Sequence, residues 1–155
     1  MNADILINIS ASPYVKGKTS ERMQMLKRIA KENKMHLIYS NQVGGNDSLI
    51  FDGNSLIVSN NGEIIAKGKD FEEDMVYCSL HSTNPLNELE PPHDLLEIKK
   101  ALVLGIKDYV RKCGFSKVLI GLSGGIDSAV TARLAVRALG NKNVFGLLCN
   151  FNNKE

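Results

Sequence analysis

Apolar residues in the first eighty positions form strand-like runs around one helical pattern. The run from Ile5 to Ile9 is short and rich in β-branched residues, which predicts a buried strand close to the first residue. The spacing that follows predicts a helix from about Ser20 to Asn33, with Thr19 or Ser20 as its N-cap. Four apolar residues share one side of this helix: Met23, Leu26, Ile29 and Ala30. We expect them to fill a core, the methionine included.

The segment after this helix predicts further strands. Residues 36–44, HLIYSNQVG, are typical of a second strand. Residues 53–69 contain two strand-like runs joined by Asn60, Asn61 and Gly62. That junction favours a β-hairpin with a primed turn, in which the central residues adopt positive φ.

The second half of the chain predicts a helix and then a βαβ unit. The helix begins at Asp94, which forms a capping pattern with Glu97, and ends near Cys113. Its expected core-facing residues are Leu95, Ile98, Leu102, Ile106 and Tyr109. A strand at 117–120, a helix stopped by Gly140, and a strand at 144–148 follow. This order predicts two parallel strands joined by a helix.

A proline-rich segment separates the two halves. Residues 81–93, HSTNPLNELEPPH, hold three of the four prolines and lack apolar periodicity, which predicts a linker. We therefore expect an α/β chain of two parts, residues 1–80 and residues 94–155, that share little core.

A loop rich in serine and glycine joins the strand at 117–120 to the next helix. The first N–H groups of a helix lack internal partners and lie at the positive end of its dipole, so they bind anions. Glycine lets a phosphate approach the backbone, and serine hydroxyls add donors. The residues of this candidate phosphate site are Gly121, Leu122, Ser123, Gly124, Gly125, Ile126, Asp127 and Ser128.

The charged residues of this loop indicate its chemistry. Asp127 would repel phosphate unless a divalent cation lay between them, so we expect it to bind Mg²⁺. No lysine stands between Gly121 and Ser128, although a Walker P-loop requires one. The segment SGGIDS resembles instead the pyrophosphate loop of the ATP pyrophosphatase superfamily, whose members adenylate a carboxylate or amide and release pyrophosphate. The alternative is an ordinary glycine turn with a serine N-cap.

Composition and charge narrow the classes of partner. The formal net charge is +2 with 23% charged residues, and the basic residues are dispersed. This pattern indicates neither a nucleic-acid surface nor a membrane-binding helix, so we expect small-molecule partners. The N-terminus lacks the features of a signal peptide, and no run is long enough to span a membrane. Three cysteines without a C-x-x-C pair suit the reducing cytoplasm, and three scattered histidines do not form a metal site.

Two segments of the first part carry a second resemblance. DILINISASPYVKGKTSER, and then YSNQVGGNDSLIFDGNSLIVSNNGEIIAK, are similar to the later part of the nitrilase-like glutaminase in glutamine-dependent NAD⁺ synthetases. The order of glutaminase tail, proline-rich linker and pyrophosphate loop matches that family from Asp4 to about Leu148. The resemblance implies a partial nitrilase-like α/β sandwich. It also implies the first βαβ unit of an ATP pyrophosphatase domain, which has the adenine nucleotide alpha hydrolase-like fold.

The resemblance also implies roles for individual residues. Ser12 and Lys18 would line a glutamine pocket; the alternatives are a turn cap for Ser12 and a solvated surface charge for Lys18. The family's cysteine nucleophile, glutamate base and lysine would precede Asp4, so no catalytic residue is assigned. We expect Cys78 and Cys113 to be buried structural thiols rather than substitutes for that nucleophile.

The family's reaction is the function that this resemblance implies. Family members adenylate nicotinate adenine dinucleotide with ATP and Mg²⁺, release pyrophosphate, and use ammonia from glutamine to form NAD⁺. Full-length members are expected to be homo-oligomers. We expect this chain to be a piece truncated at both ends, without full activity. A nonfunctional fragment and another pyrophosphate-loop amidating ligase are the alternatives.

Overall fold

A computed structural model describes residues 3–80, Leu86 and residues 94–148 of the chain. Its elements in chain order are β1 (Ile5–Ser10), α1 (Lys18–Asn33), β2 (His36–Asn41), β3 (Val43–Asn46), β4 (Leu49–Asp52), β5 (Leu56–Val58), β6 (Ile64–Lys67), α2 (Asp94–Lys112), β7 (Val118–Leu122), α3 (Ile126–Leu139), a short 3₁₀ helix (Asn141–Asn143) and β8 (Val144–Leu148). Within these described ranges, none of the three α-helices has the length and apolar character needed to cross a membrane.

The larger sheet and helix α1 form the core of the first part. The strand order is β1-β2-β5-β6, in which β1 is parallel to β2 and the other pairs are antiparallel. The core cluster consists of Leu26, Ala30, Leu37, Tyr39, Leu56, Val58 and Ile64, with Met23 and Ile29 packed against it. The predicted apolar side of α1 is therefore confirmed, because all four of its residues belong to or touch this cluster.

The predicted N-cap of α1 is wrong. The helix begins at Lys18, two residues before the predicted start near Ser20. Its N-cap is Gly17, whose φ of 84° is left-handed and which has no side chain to cap the helix. The hydroxyl of Thr19 instead donates to the Asp52 carboxylate at 3.4 Å. A threonine that satisfies a buried carboxylate is not available to cap its own helix.

The hairpin of β5 and β6 is confirmed, but its predicted turn type is wrong. The Gly62 N–H donates to the Ser59 carbonyl at 2.9 Å, and Gly62 has φ of 86°. Asn60 and Asn61 do not have positive φ, which a primed turn would require of its central residues. The connection is thus an ordinary turn followed by a left-handed glycine, and the register shift between Ile57 and Val58 accommodates the extra residue.

Strand β1 is exposed, contrary to the buried strand that its apolar run predicts. It lies at the edge of the sheet, and Ile7 and Ile9 are 63% and 85% exposed. Register pairs Ile7 with Ile38 and Ile38 with Ile57, so these residues share the sheet face away from α1. The apolar residues of β1 form a face suited to packing, and no element in the described part of the chain covers that face.

A second hairpin, β3 and β4, was not predicted. The expected single strand at 36–44 divides after Asn41, where the Gln42 N–H turns to donate to the Ser10 carbonyl at 2.9 Å. Strand β3 then pairs antiparallel with β4, with Gly45 opposite Ile50. The glycines of β3 weakened the strand signal in the sequence.

The two parts share more contact than we expected, because α2 packs on the hairpin of β3 and β4. A Cβ added to Gly45 would come within 3.2 Å of the Gly105 Cα, so the two backbones approach closely. The Asp108 carboxylate accepts from the Gly45 N–H at 2.8 Å, and Lys112 donates to the Gly45 carbonyl at 2.5 Å. Lys100 pairs with Asp70 at 2.8 Å.

Helix α2 only partly buries the side that apolar spacing predicts, with Ile98 and Ile106 half-buried. Exposed residues of the predicted side are Leu95, Leu102 and Tyr109. The buried residues are Glu97, Ala101 and Val110. The close approach of Gly105 to β3 requires small residues where the helix crosses the strand. This steric requirement, rather than the number of apolar side chains, decides which face of α2 packs against β3.

The βαβ unit is confirmed. Strands β7 and β8 are parallel, with Val118 opposite Val144 and Leu122 opposite Leu148, and α3 connects them. Gly140 ends α3 with φ of 83°, as the sequence predicts. Helix α3 also packs against α2, which links this unit to the helix that contacts the first part.

Candidate functional site

The serine- and glycine-rich loop forms a turn between a strand and a helix. Strand β7 ends at Leu122, and α3 begins at Ile126 with Gly125 as its N-cap. Gly124 has φ of 83°, and a Cβ there would meet nothing within 4 Å. Glycine is thus favoured at this position by its backbone conformation and not by crowding.

Two serine side chains hold this turn in shape. The Ser128 hydroxyl donates to the Gly125 carbonyl at 2.9 Å, and the Gly125 N–H donates to the Ser123 oxygen at 3.4 Å. The two hydroxyls lie 3.4 Å apart. The loop closes on itself through these contacts before α3 begins.

The start of α3 provides the donors that an anion site needs. The N–H groups of Ile126, Asp127 and Ser128 have no acceptor within the helix and lie at the positive end of its dipole. Residues 123–127 are exposed, so a ligand can reach them. The Asp127 side chain is exposed rather than buried in the core. The backbone carbonyl of Asp127 accepts a hydrogen bond from the Thr131 hydroxyl at 2.8 Å.

Asp127 fits a Mg²⁺ ion only in company with a phosphate ligand. Residues 3–80 and 94–148 contain no group of three or more histidine, cysteine or acidic side chains that could hold a metal by themselves. Mg²⁺ is commonly bound by one or two carboxylates together with substrate phosphates and water. The donor set here therefore suits an ion that arrives with a nucleotide.

Of the two residues expected to line a glutamine pocket, Ser12 lies on the loop between β1 and α1, and Lys18 is the first residue of α1. Ser12 is half-buried, and its backbone is held from both sides by Asn41, which accepts from its N–H at 2.8 Å and donates to its carbonyl at 3.3 Å. The Lys18 ammonium folds back to donate to the Pro13 carbonyl at 3.2 Å. The loop therefore brings the Lys18 ammonium next to the residue that follows Ser12.

Sequence reasoning missed the buried carboxylate that supports this loop. Asp52 is 1% exposed and forms an ion pair with Arg22 at 2.5 Å. It also accepts from Asn41 at 3.2 Å and from Asn54 at 2.9 Å. The only signal in the sequence was an aspartate at the end of the apolar run LIF, where a solvated residue would be the ordinary interpretation.

The prediction that Cys78 and Cys113 are buried is wrong. Cys78 and Cys113 are both free and exposed. Cys78 lies in an irregular segment after β6, and Cys113 follows the end of α2. Neither thiol lies beside a described histidine, lysine or carboxylate in a hydrogen bond that would activate it, and Cys149 lies outside the described residues.

Comparison with known families assigns the first part of the chain. The carbon-nitrogen hydrolase family model matches residues 1–83, which is more than half of the chain. The chain belongs to the carbon-nitrogen hydrolase family. In this family member, the NAD synthase model also matches residues 98–155, the part that contains the serine- and glycine-rich loop.

Curated relatives match the chain across both parts. The glutamine-dependent NAD(+) synthetase of Synechocystis is 47% identical over 150 residues, covering 94% of this chain and 27% of the relative. That of Acinetobacter baylyi is 40% identical, covering 93% of this chain and 27% of the relative. The chain therefore spans roughly a quarter of the length of these relatives.

A solved structure agrees with this assignment. The glutamine-dependent NAD⁺ synthetase of Acinetobacter baumannii, in complex with ADP, superposes with a TM-score of 0.88 at 36% identity. It covers 98% of this chain, and the chain covers 30% of it. The resemblance to glutamine-dependent NAD⁺ synthetases and the predicted α/β fold class are confirmed.

Proposed function

We propose that residues 121–128 hold the β- and γ-phosphates of ATP as a pyrophosphate leaving group. The observation that carries this proposal is the turn from β7 into α3, where three helix-start amides, two hydroxyls and one exposed carboxylate lie together. Negative charge builds on the departing pyrophosphate when the α-phosphorus is attacked. Fixed N–H donors stabilise that charge more in the transition state than before it, which lowers the barrier.

The reaction served by this site is the ATP-dependent amidation of nicotinate adenine dinucleotide to NAD⁺. The carboxylate is adenylated, and ammonia from glutamine displaces AMP. In this proposal Asp127 would hold a Mg²⁺ ion, which would supply positive charge to neutralise the phosphates. The partners are small molecules: ATP, nicotinate adenine dinucleotide, and glutamine or ammonia. The cytoplasmic location and the homo-oligomer stay predictions.

Ser12 and Lys18 line the glutamine pocket in this proposal. The two-sided contact of Asn41 with the Ser12 backbone supports it, because a pocket residue must be held in one place to position a substrate. We divide the chain into a glutaminase part at 1–80, a linker at 81–93 and a synthetase part at 94–155. No catalytic residue is assigned, and we expect the 155 residues alone to make no NAD⁺.

The test is titration calorimetry of the purified chain with Mg²⁺-pyrophosphate and Mg²⁺-ATP. We expect binding that Asp127→Asn weakens and makes less dependent on Mg²⁺. Gly124→Ala should weaken it about 5- to 30-fold, since a left-handed conformation costs other residues about 1–2 kcal/mol. Asp4→Asn, an exposed aspartate in the first part, is the matched control and should bind as the original chain does. Equal binding by Asp127→Asn and the original chain would refute the assignment.

A nonfunctional fragment is the second candidate. The exposed apolar residues on two of the three described sheets favour it, since Ile9 is 85% and Leu148 is 80% exposed. A chain that is folded by circular dichroism but binds neither nucleotide nor pyrophosphate would favour this candidate. The relatives argue against another pyrophosphate-loop amidating ligase, because they are NAD⁺ synthetases.

A further inference from the structure

Two polar groups at the contact between the two parts of the chain are buried without a partner. Glu97 in α2 is 5% exposed, and its Oε2 atom makes no hydrogen bond to a described residue. The Tyr14 hydroxyl, on the loop after β1, is also buried and makes none of acceptable geometry. Buried polar atoms are hydrogen-bonded in most proteins, so a pair of unpaired ones requires an explanation.

Tyr14 and Glu97 are close enough for the Glu97 carboxyl to affect the Tyr14 hydroxyl, although the two groups form no hydrogen bond of acceptable geometry. Burial, and then the negative charge of Glu97, raise the pKa of Tyr14 above its ordinary value. The Tyr14 backbone is fixed by a 2.7 Å hydrogen bond from its N–H to the Ile50 carbonyl, and its ring packs edge-on against Phe71 at 5.2 Å. The phenol is therefore held toward α2 by its own part of the chain.

Glu97 lies among acidic groups from several elements. The ionisable groups that face it are Tyr14 from the loop after β1, Asp52 from β4, Lys67 from β6, Asp70 from the loop after β6, and Asp94 from α2 itself. Three of these aspartates have cationic partners of their own: Asp52 with Arg22, Asp70 with Lys100, and Asp94 with Lys16.

The environment of Glu97 favours its protonated form. Burial first, and then the charges of Asp52, Asp70 and Asp94, raise the pKa of Glu97, while Lys67 acts in the opposite direction. The cationic partners of those aspartates weaken their repulsion of an ionised Glu97. The effect of burial on the Glu97 pKa does not depend on those partners. A neutral carboxyl costs far less to bury than a carboxylate, and it brings an O–H donor for a neighbouring oxygen.

We propose that Tyr14 and Glu97 form a proton-linked latch that fastens the loop bearing Ser12 to helix α2. In the closed state Glu97 is protonated and hydrogen-bonded to the Tyr14 hydroxyl. In the open state the ionised carboxylate turns toward water, and α2 packs less firmly on the first part. Because α2 also packs against α3, the latch connects the Ser12 loop with the helix that starts at the phosphate-binding turn.

The direction of the pH effect follows from linkage. An acid whose pKa is raised in the folded state binds its proton more tightly there than in the unfolded or open state. Its stabilising contribution is complete below the ordinary glutamate range and is lost as the pH rises through the raised pKa. The contact between the two parts is therefore firm in weak acid and loosens as Glu97 ionises.

The Gly45 amide offers a reporter at the other end of α2. This N–H donates across the contact to Asp108 at 2.8 Å. Asp108 lies eleven positions after Glu97, or about 16 Å along the helix. Protection of the Gly45 amide from hydrogen exchange therefore measures whether the whole helix loosens, and the measurement needs no ligand or activity.

The experiment measures this protection factor by NMR in the 155-residue chain from about pH 4, below the ordinary glutamate range, to about pH 8. We expect it to fall as the pH rises by roughly two- to tenfold, the equivalent of one net hydrogen bond. Glu97→Gln should keep high protection throughout, because its amide can donate to Tyr14 without ionising. Tyr14→Phe should lower protection in weak acid and reduce the slope, because the protonated carboxyl loses the oxygen that it bonds.

Glu72→Gln is the matched control, because Glu72 is a glutamate with a 70% exposed side chain. It should follow the original chain at every pH. Circular dichroism confirms that each variant is folded. A flat profile in the original chain, or an unchanged slope in Glu97→Gln, would overturn the latch. Neither result would bear on pyrophosphate binding, so failure of the latch is separable from failure of the proposed function.

Discussion

Removing the arginine of the buried Arg22–Asp52 pair should be the most damaging single change in the first part of the chain. Both side chains are almost inaccessible, at 5% and 1% exposure, and the guanidinium makes two hydrogen bonds to the carboxylate, at 3.2 and 2.5 Å. Arg22→Met keeps much of the aliphatic volume and removes the charge. Asp52 is then left buried with only neutral donors around it.

The size of the effect follows from this burial. Breaking a buried pair by removing one partner costs about 3–5 kcal/mol, because the remaining charge is uncompensated. Asn41, Asn54 and Thr19 still donate to Asp52, so we expect a value near the lower limit, about 3 kcal/mol. A domain of this size is stable by only about 5–15 kcal/mol, so the loss is a large fraction of the total.

The chain contains its own control in a surface pair. Lys69 and Glu72 lie 3.8 Å apart with side chains 62% and 70% exposed, and such pairs contribute about 0–1 kcal/mol. Lys69→Met should therefore change the free energy of unfolding little. Urea unfolding followed by circular dichroism measures both variants. If Arg22→Met costs no more than Lys69→Met, the Asp52 charge does not depend on Arg22 and the reasoning is wrong.

Two further predictions concern surfaces of the fold. Gly45→Ala should lower the urea midpoint more than Gly105→Ala. The Cβ added at position 45 would meet the Gly105 backbone at 3.2 Å, whereas the Cβ added at position 105 would meet the movable Ile50 side chain at 3.1 Å. The reverse order would contradict the close backbone approach. Ile7→Lys should reduce self-association in analytical ultracentrifugation, because a charge on an exposed apolar edge strand opposes sheet pairing. Unchanged association would show that β1 is not the contact surface.

Local patterns were sufficient for most of the elements and for the strand-to-helix turn at residues 121–128. The apolar side of α1, the βαβ unit and the SGGIDS loop were all predicted, because each depends on residues close together in sequence. Periodicity determines what kind of element a segment forms. Resemblance then supplied the family, which the comparisons confirmed.

The tertiary structure alone decided which surfaces are buried. Apolar spacing predicted only part of the buried surface of α2, since the hairpin of β3 and β4 packs against the helix face with Gly105 at the crossing. The burial of Asp52 depends on Arg22, thirty positions earlier in the chain, and the hydrogen bond from the Gly45 amide to Asp108 joins the two parts. Whether a residue is buried depends on the segment that packs against it as well as on its own segment. When that packing segment is distant in sequence, the periodicity of the residue's own segment carries no signal of it.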